Sequence, residues 1–209
     1  MKNILLFAVV LFSTSLYSQE RGIELNKPNL DRGMNVMQSL SVRESARIFD
    51  STPLSLQDVS DLLWAANGVN RPQNGKRTAP SAINAQDIDL YLFDNNGVYF
   101  YNAKDHRLDL ILPQDSRSVI SNQDKEPYPA VILLLVSDLS RFQRGDDSVK
   151  AVWAAMDAGI VSQNVLIFCA SNNMAARPRA IMNKEKIKEL LKFGDFQIPM
   201  LNIPVSYKK

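Results

Sequence analysis

The chain has 209 residues, 45% apolar and 22% charged, enough for one folded domain with its own core. Its 24 Lys and Arg nearly balance 22 Asp and Glu, and a net charge of +2 supplies no basic surface for nucleic acid. One Cys (Cys169) and one His (His106) exclude an intrachain disulfide, Cys-rich structural zinc sites and a three-His catalytic metal site.

Residues 1–18 read as a secretory signal peptide. Lys2 gives the basic start, nine apolar residues follow at 4–12, and Ser13, Thr14, Ser15 and Ser18 come next. Nine apolar residues are too few to span a bilayer as a helix, which takes about 20. The mature protein is therefore expected to be exported, periplasmic or secreted, with no membrane span. Residues 19–33 read as an extended arm, with Pro28 opposing helix.

From residue 34 to 209 the pattern is one domain of alternating helices and strands. Met34, Met37 and Leu40 have helical spacing. Ser55 with Asp58 marks a helix start, Leu56, Val59, Leu62, Leu63 and Ala66 form one apolar face, and Gly68 ends it. The stretch 69–78, with Pro72 and Gly75, reads as a loop. Strands are expected at 88–93 and 98–101 around the Asp94-Asn95-Asn96-Gly97 turn, and a third at 108–112. His106 falls in the connection before that third strand and is expected to be an exposed turn residue, far from any nucleophile motif.

Residues 130–136 are seven apolar residues in a row, the mark of a strand buried on both faces. From 148 to about 172 no Pro interrupts a long helix, which is apolar around most of its circumference. Such a helix belongs in a central core or at a subunit interface. Asn183 caps a last helix at 184–193, with Ile187, Leu190 and Leu191 inward, and 196–205 ends as an extended piece with two prolines.

No P-loop, no G-x-G-x-x-G and no paired-carboxylate motif is present. Two polar clusters remain. Arg43, Ser45 and Arg47 alternate, so an extended backbone puts two guanidinium forks and a hydroxyl on one side, which suits a phosphate as well as it suits a merely exposed charged edge. At 77–86 a rigid Pro80-Ser81 opens a short helix that carries Asn84 and Gln86, whose free N–H groups suit an anion or a polar carbonyl.

Five segments in order resemble the FMN-dependent nitroreductase superfamily, and most closely its SagB-type branch of azoline dehydrogenase-like proteins. They are R-x-S-x-R-x-F at 43–49, L-L-W-A-A-x-G-x-x-R at 62–71, R-T-x-P-S-A-x-N-x-Q at 77–86, D-A-G-x-x-x-Q-N at 157–164 and P-V-x-Y at 204–207. The resemblance implies an α+β sandwich, a mostly antiparallel central sheet flanked by helices. It further implies a homodimer with FMN in clefts at the subunit interface. By position, Arg43, Ser45 and Arg47 would hold the FMN phosphate. Pro80, Ser81 and Asn84 would lie along the isoalloxazine ring, and backbone N–H groups near Ala180 and Ile181 would face its N5. No catalytic side chain and no metal is implied, because the flavin performs the chemistry.

The chain departs from the family pattern in places. Glu44 stands where a basic residue is common, and alternation predicts that it points away from the phosphate. Asn173, Ala180, Ile181 and Ser206 replace other residue types. The later basic pair of longer members is missing, with Lys208 and Lys209 as possible substitutes. The expected function is an exported FMN oxidoreductase that transfers hydride by a ping-pong route to or from a small molecule or peptide. The alternative is a flavin-fold binding or interaction module without turnover. Nicotinamide is not expected outside the cytoplasm, so the protein would use another electron donor or would oxidise its substrate and pass the electrons onward.

Overall fold

The computed structural model describes residues 22–121 and 127–209. The expected signal peptide at 1–18 lies outside the described residues, as do the first residues of the expected arm.

Seven strands form one sheet. They are β1 (Gly22–Glu24), β4 (Ile88–Phe93), β5 (Val98–Asn102), β6 (Arg107–Leu112), β7 (Val131–Asp138), β8 (Met174–Ala176) and β9 (Gln197–Tyr207). The order across the sheet is β1-β6-β5-β4-β7-β9-β8, and every neighbouring pair is antiparallel. The expected α+β sandwich is therefore present. A second, two-stranded ribbon joins β2 (Val69–Arg71) to β3 (Lys76–Arg77), so the stretch expected to be a loop contains a hairpin. Its strands are too short and polar to leave a period-2 apolar signal.

Strand β7 is the spine of the core. Val131, Leu133 and Leu135 pack into a cluster with Leu62, Leu63 and Ala66 of α2 (Leu56–Asn67) and Ala158, Val161 and Val165 of α4 (Asp147–Ser171). Ile132, Leu134 and Val136 face the other way, toward Ile120 of α3 (Arg117–Ser121) and Ile187 of α5 (Lys184–Leu191). The apolar run is thus buried on both faces, as its composition requires, and each fully buried Leu contributes roughly 1.5–3 kcal/mol. Helix α3 left no usable pattern, being only five residues long. Pro199 is tolerated within β9 because the ladder to β7 shifts register there.

Helix starts follow the expected chemistry. Ser55 accepts from Asp58 N–H and Asn183 from Lys186 N–H. Helix α1 (Val36–Val42) begins with a reciprocal Asn35–Gln38 capping box. Its Met37 and Leu40, and Met34 just before it, keep helical spacing yet are exposed.

The long helix α4 has 25 residues. It is apolar and long enough to cross a membrane, yet one side is packed inside the domain through Ala154, Ala158, Val161 and Val165. The other side is bare: Val149, Val152, Met156 and Ile160 are exposed, Val152 by 52% and Met156 by 60%.

His106 corrects the sequence expectation. It sits in a turn with φ of +50°, but its ring is half-buried rather than free. Nδ1 pairs with the Tyr101 hydroxyl and Nε2 with the Asn26 carbonyl, each at 2.9 Å. Burial pulls its pKa below the usual His value, opposed by the bond to Asn26. The single His therefore fastens the arm to the β5–β6 hairpin. His106→Ala should lower stability by about 1 kcal/mol and speed amide exchange in residues 22–28, as read by hydrogen–deuterium exchange.

Candidate functional site

After α1 the chain runs extended through 43–50, tied down by Ala46 N–H to the Ala176 carbonyl (3.0 Å) and Asp50 N–H to Ser206 Oγ (2.9 Å). The C-terminal P-V-x-Y segment is therefore a clamp. Tyr207 OH accepts from Ser55 N–H at 3.0 Å and donates to Asp58 at 2.7 Å, locking β9 to the start of α2.

This extended segment forms one wall of a cleft of about 480 Å³, with Ala175 and the last two lysines on the other. Ser45, Arg47, Lys208 and Lys209 line it, and so does Glu44. Arg43 is not among the lining residues, and Glu44 does not point away. Strict alternation fails because these residues form no regular strand. Glu44 is instead held by Lys208 Nζ at 2.9 Å, which keeps its pKa below the usual Glu value. Among the described residues Arg47 makes no ion pair and Ser45 no side-chain hydrogen bond. Their donors are unspent, and Arg47, Lys208 and Lys209 outweigh the single carboxylate.

The 177–181 loop lies next to this cleft. Arg179 is bridged to Asn202 through both backbone groups (2.8 and 2.9 Å), and its guanidinium lies 5.8 Å from the Phe49 ring. Ala180 and Ile181 follow it into solvent, Ile181 being 82% exposed.

Segment 80–84 is elsewhere. Instead of the expected short helix it makes one 3-10 turn, Ala82–Asn84, in which Ile83 and Asn84 have φ of +47° and +60°. Ser81 Oγ accepts from Gln86 N–H at 2.8 Å, and Asp157 of α4 receives Ala82 N–H on both oxygens at 3.1 and 2.9 Å. Asn84 is exposed, and Lys76 Nζ donates to its Oδ1 at 2.8 Å, leaving the amide NH₂ toward solvent. Below lies a paired charge: Arg141 grips Asp89 with two bonds of 2.8 and 2.6 Å, and Arg77 is bonded through Nε to Gln86. Burial raises the Asp89 pKa against the pull of Arg141.

The structure thus joins Ser45 and Arg47 with Lys208 and Lys209, while Ala180 and Ile181 are not among the residues that line the cleft. It does not bring Pro80, Ser81 and Asn84 into that cleft within one chain. Asp157 anchors the 80–84 segment, while Cys169 and Ala170 lie beside Glu44 and Ala46. Those marks are twelve residues apart on α4, about 18 Å of helix. Sequence reasoning quoted Asp157 within a motif without giving it a task, and gave none to Lys76 or Asp87. Their work is to hold backbone and neighbours, which no spacing announces.

Comparison with known proteins agrees with this fold. The model of the nitroreductase family matches residues 40–207. A Ralstonia eutropha protein of known crystal structure, named as a nitroreductase, is 32% identical. It superposes with a TM-score of 0.83 over 100% of this chain and 96% of its own. The Methanocaldococcus jannaschii protein MJ1384, also named as a nitroreductase, is 27% identical over 198 residues, 89% of this chain and 97% of that protein. An Exiguobacterium sibiricum protein of the same naming, crystallised in complex with FMN, shares the fold at a TM-score of 0.61 and 13% identity, covering 84% and 89% of the two chains. The chain belongs to the nitroreductase family of oxidoreductases.

One electrostatic feature is directly testable. Arg141→Ala leaves the Asp89 carboxylate buried without its partner, so stability should fall by about 3 kcal/mol in urea titration, and Asp89→Asn in the same background should recover part of it.

Proposed function

We propose that this chain is an FMN-dependent oxidoreductase of the SagB-type branch, active as a homodimer after export. The observation that carries the reading is the cleft in which Ser45 and Arg47, whose donors are unspent, converge with Lys208 and Lys209. A hydroxyl and three cations fit a phosphate monoester, the group in which FMN ends. Lys208 neutralises Glu44, and Lys209 adds a further cation to the cleft. Bound FMN would supply the redox chemistry, accepting and then giving up hydride in separate half-reactions. The chain's own task is to bind, orient and polarise. Asn84, with its free amide NH₂, would donate to the ring's polar edge, and the backbone N–H groups of Ala180 and Ile181 would face its N5 side. The SagB-type placement is supported by the five ordered segments. Export is supported by the charge and apolar run of residues 1–18. The substrate would be a small molecule or a peptide.

The homodimer is supported by α4. Its bare stripe of Val149, Val152, Met156 and Ile160 surrounds Gly159, where an added Cβ would meet nothing within 4 Å. Glycine inside a helix costs about 1 kcal/mol against alanine, and no contact among the described residues requires it. A second α4 crossing at Gly159 would require it. An antiparallel pairing centred one turn further on, near residue 163, would set Asp157 of one helix level with Cys169 of the other. Segment 80–84 of one copy then approaches the Arg47 cleft of its partner, which joins the two halves of the site.

Three outcomes test this reading. Purified protein should carry or take up FMN, and Arg47→Ala should weaken binding by about 2 kcal/mol, roughly 30-fold, by fluorescence titration. Equal affinity in both proteins would remove the phosphate site from this cleft. Gly159→Leu should leave the monomer folded, since its own chain leaves the space open, yet give monomers in sedimentation and lose FMN with the dimer. Asn84→Ala should keep most FMN but slow turnover with an artificial donor and a quinone acceptor by about 10- to 1000-fold. Tight FMN binding with no turnover by the wild type under any donor would leave a flavin-fold binding module.

A further inference from the structure

One side chain of the arm binds three partners at once. Arg32 stands in the irregular stretch between β1 and α1, and its side chain is 23% exposed. Nη2 donates to Asp58 Oδ1, Nη1 to Asp61 Oδ2 and Nε to Asn172 Oδ1, each at 2.7 Å. The guanidinium also lies 5.4 Å from the centre of the Phe168 ring. Asp58 and Asp61 belong to the first two turns of α2, and Asn172 caps the end of α4. A planar guanidinium points its donors in fixed directions, so Arg32 braces the start of α2 against the end of α4. The arm is shaped to deliver this group. Asn29 N–H donates to buried Asp61 at 2.8 Å, and Gly33 has φ of +89° where an added Cβ would run into the Ser171 side chain.

The same two helix ends support the last residues of β9. On the α2 side, Tyr207 OH donates at 2.7 Å to Asp58 Oδ2, the oxygen that Arg32 leaves open. On the α4 side, the carbonyl of Asn173, next to Asn172, accepts from Lys208 N–H at 3.3 Å, and Met174 pairs with Tyr207 across β8 and β9. Tyr207 and Lys208 are thus held between two supports that Arg32 ties together. From there Lys208 Nζ reaches Glu44 at 2.9 Å.

We propose that Arg32 is a positioning residue for the phosphate-type cleft: it fixes both supports of Tyr207 and Lys208, and so keeps Lys208 on Glu44. Glu44 is the one carboxylate side chain that lines the cleft, and an anion enters against its charge unless Lys208 stays in place. Lysine carries its charge on a flexible four-carbon stem, so the backbone it starts from decides how well it finds its partner. Arg32 itself does not line the cleft and acts through Lys208. That the ligand is FMN rests on the proposed function; the brace does not.

Two mild variants of the full chain test it. Arg32→Lys keeps a charge beside buried Asp61 but replaces the three-way fork by a compact ammonium. Tyr207→Phe removes one hydroxyl. The first readout is the titration of the Glu44 carboxyl by NMR, which needs no ligand. In the wild type the hydrogen bond from Lys208, then its charge and, more weakly, Arg43 hold the Glu44 pKa below the usual Glu value. In both variants it should rise toward that value. Asp146 at the far end of α4, held low by its bonds from Val149 N–H and Ser148, should not move. The second readout is FMN affinity at low salt. Each variant should bind FMN about two- to fivefold more weakly, the range that one exposed ion pair supports. In a Lys208→Ala background, Arg32→Lys should cause no further loss. A Glu44 titration unchanged in Arg32→Lys overturns the brace. A loss of FMN affinity as large in the Lys208→Ala background as in the wild type overturns the route through Lys208. FMN that fails to bind the wild type counts against the functional reading alone, and the Glu44 titration still decides the brace.

Discussion

Helix α4 has more apolar surface than one chain covers, and the rest of the molecule is arranged around that constraint. One side of the helix closes the core against β7 and α2. The other offers Val152, Met156 and Ile160 to solvent beside a glycine that nothing among the described residues requires. The same helix carries the anchors of both polar clusters, Asp157 for segment 80–84 and the Cys169 end beside the Arg47 cleft. A helix is stiff on this scale, so the two clusters cannot meet within one chain by small adjustments. On the proposed function, a site that uses both is assembled from two copies.

Energetics and chemistry are divided accordingly. The sheet and its two helical layers supply stability through ordinary apolar burial, with β7 contributing to both faces. The polar parts are held by single, well-placed bonds: Tyr207 to Asp58, Asp157 to Ala82, Lys208 to Glu44. Asp157, in the middle of α4, and Lys208, just past β9, fix segments with little regular structure of their own, while Tyr207 fastens the end of β9 to the first turn of α2. Such segments can approach a ligand closely while the scaffold stays rigid.

Much of the fold was legible in the sequence where burial dictates pattern. The seven-residue apolar run gave a two-faced strand, Ser55 and Asn183 gave helix starts, and the Asp94–Gly97 turn gave a hairpin. Legibility failed where short polar elements answer to tertiary bonds. The β2–β3 hairpin, helix α3 and the left-handed turn at Ile83 have no periodicity to read. His106 looked like a surface turn because its partners, Tyr101 and Asn26, are a strand residue and a residue 80 positions away. The phosphate-type cluster was seen in part. Ser45 and Arg47 line the cleft, whereas Glu44 does too and Arg43 does not, because alternation holds only in a regular strand. Lys208 and Lys209 complete the cleft through the return of β9, a long-range effect that spacing does not encode.

Subunit mixing tests the two-chain site most directly. Chains carrying Arg47→Ala are mixed with chains carrying Asn84→Ala, and the heterodimers are isolated by differential tags. If each site takes Arg47 from one chain and Asn84 from the other, a heterodimer has one doubly altered site and one fully intact site. It should then bind FMN at one high-affinity site and recover about half of wild-type turnover per dimer. If each site lies within a single chain, every site in the heterodimer carries one substitution, and no recovery above the two parent variants will be seen. That second result would contradict the account.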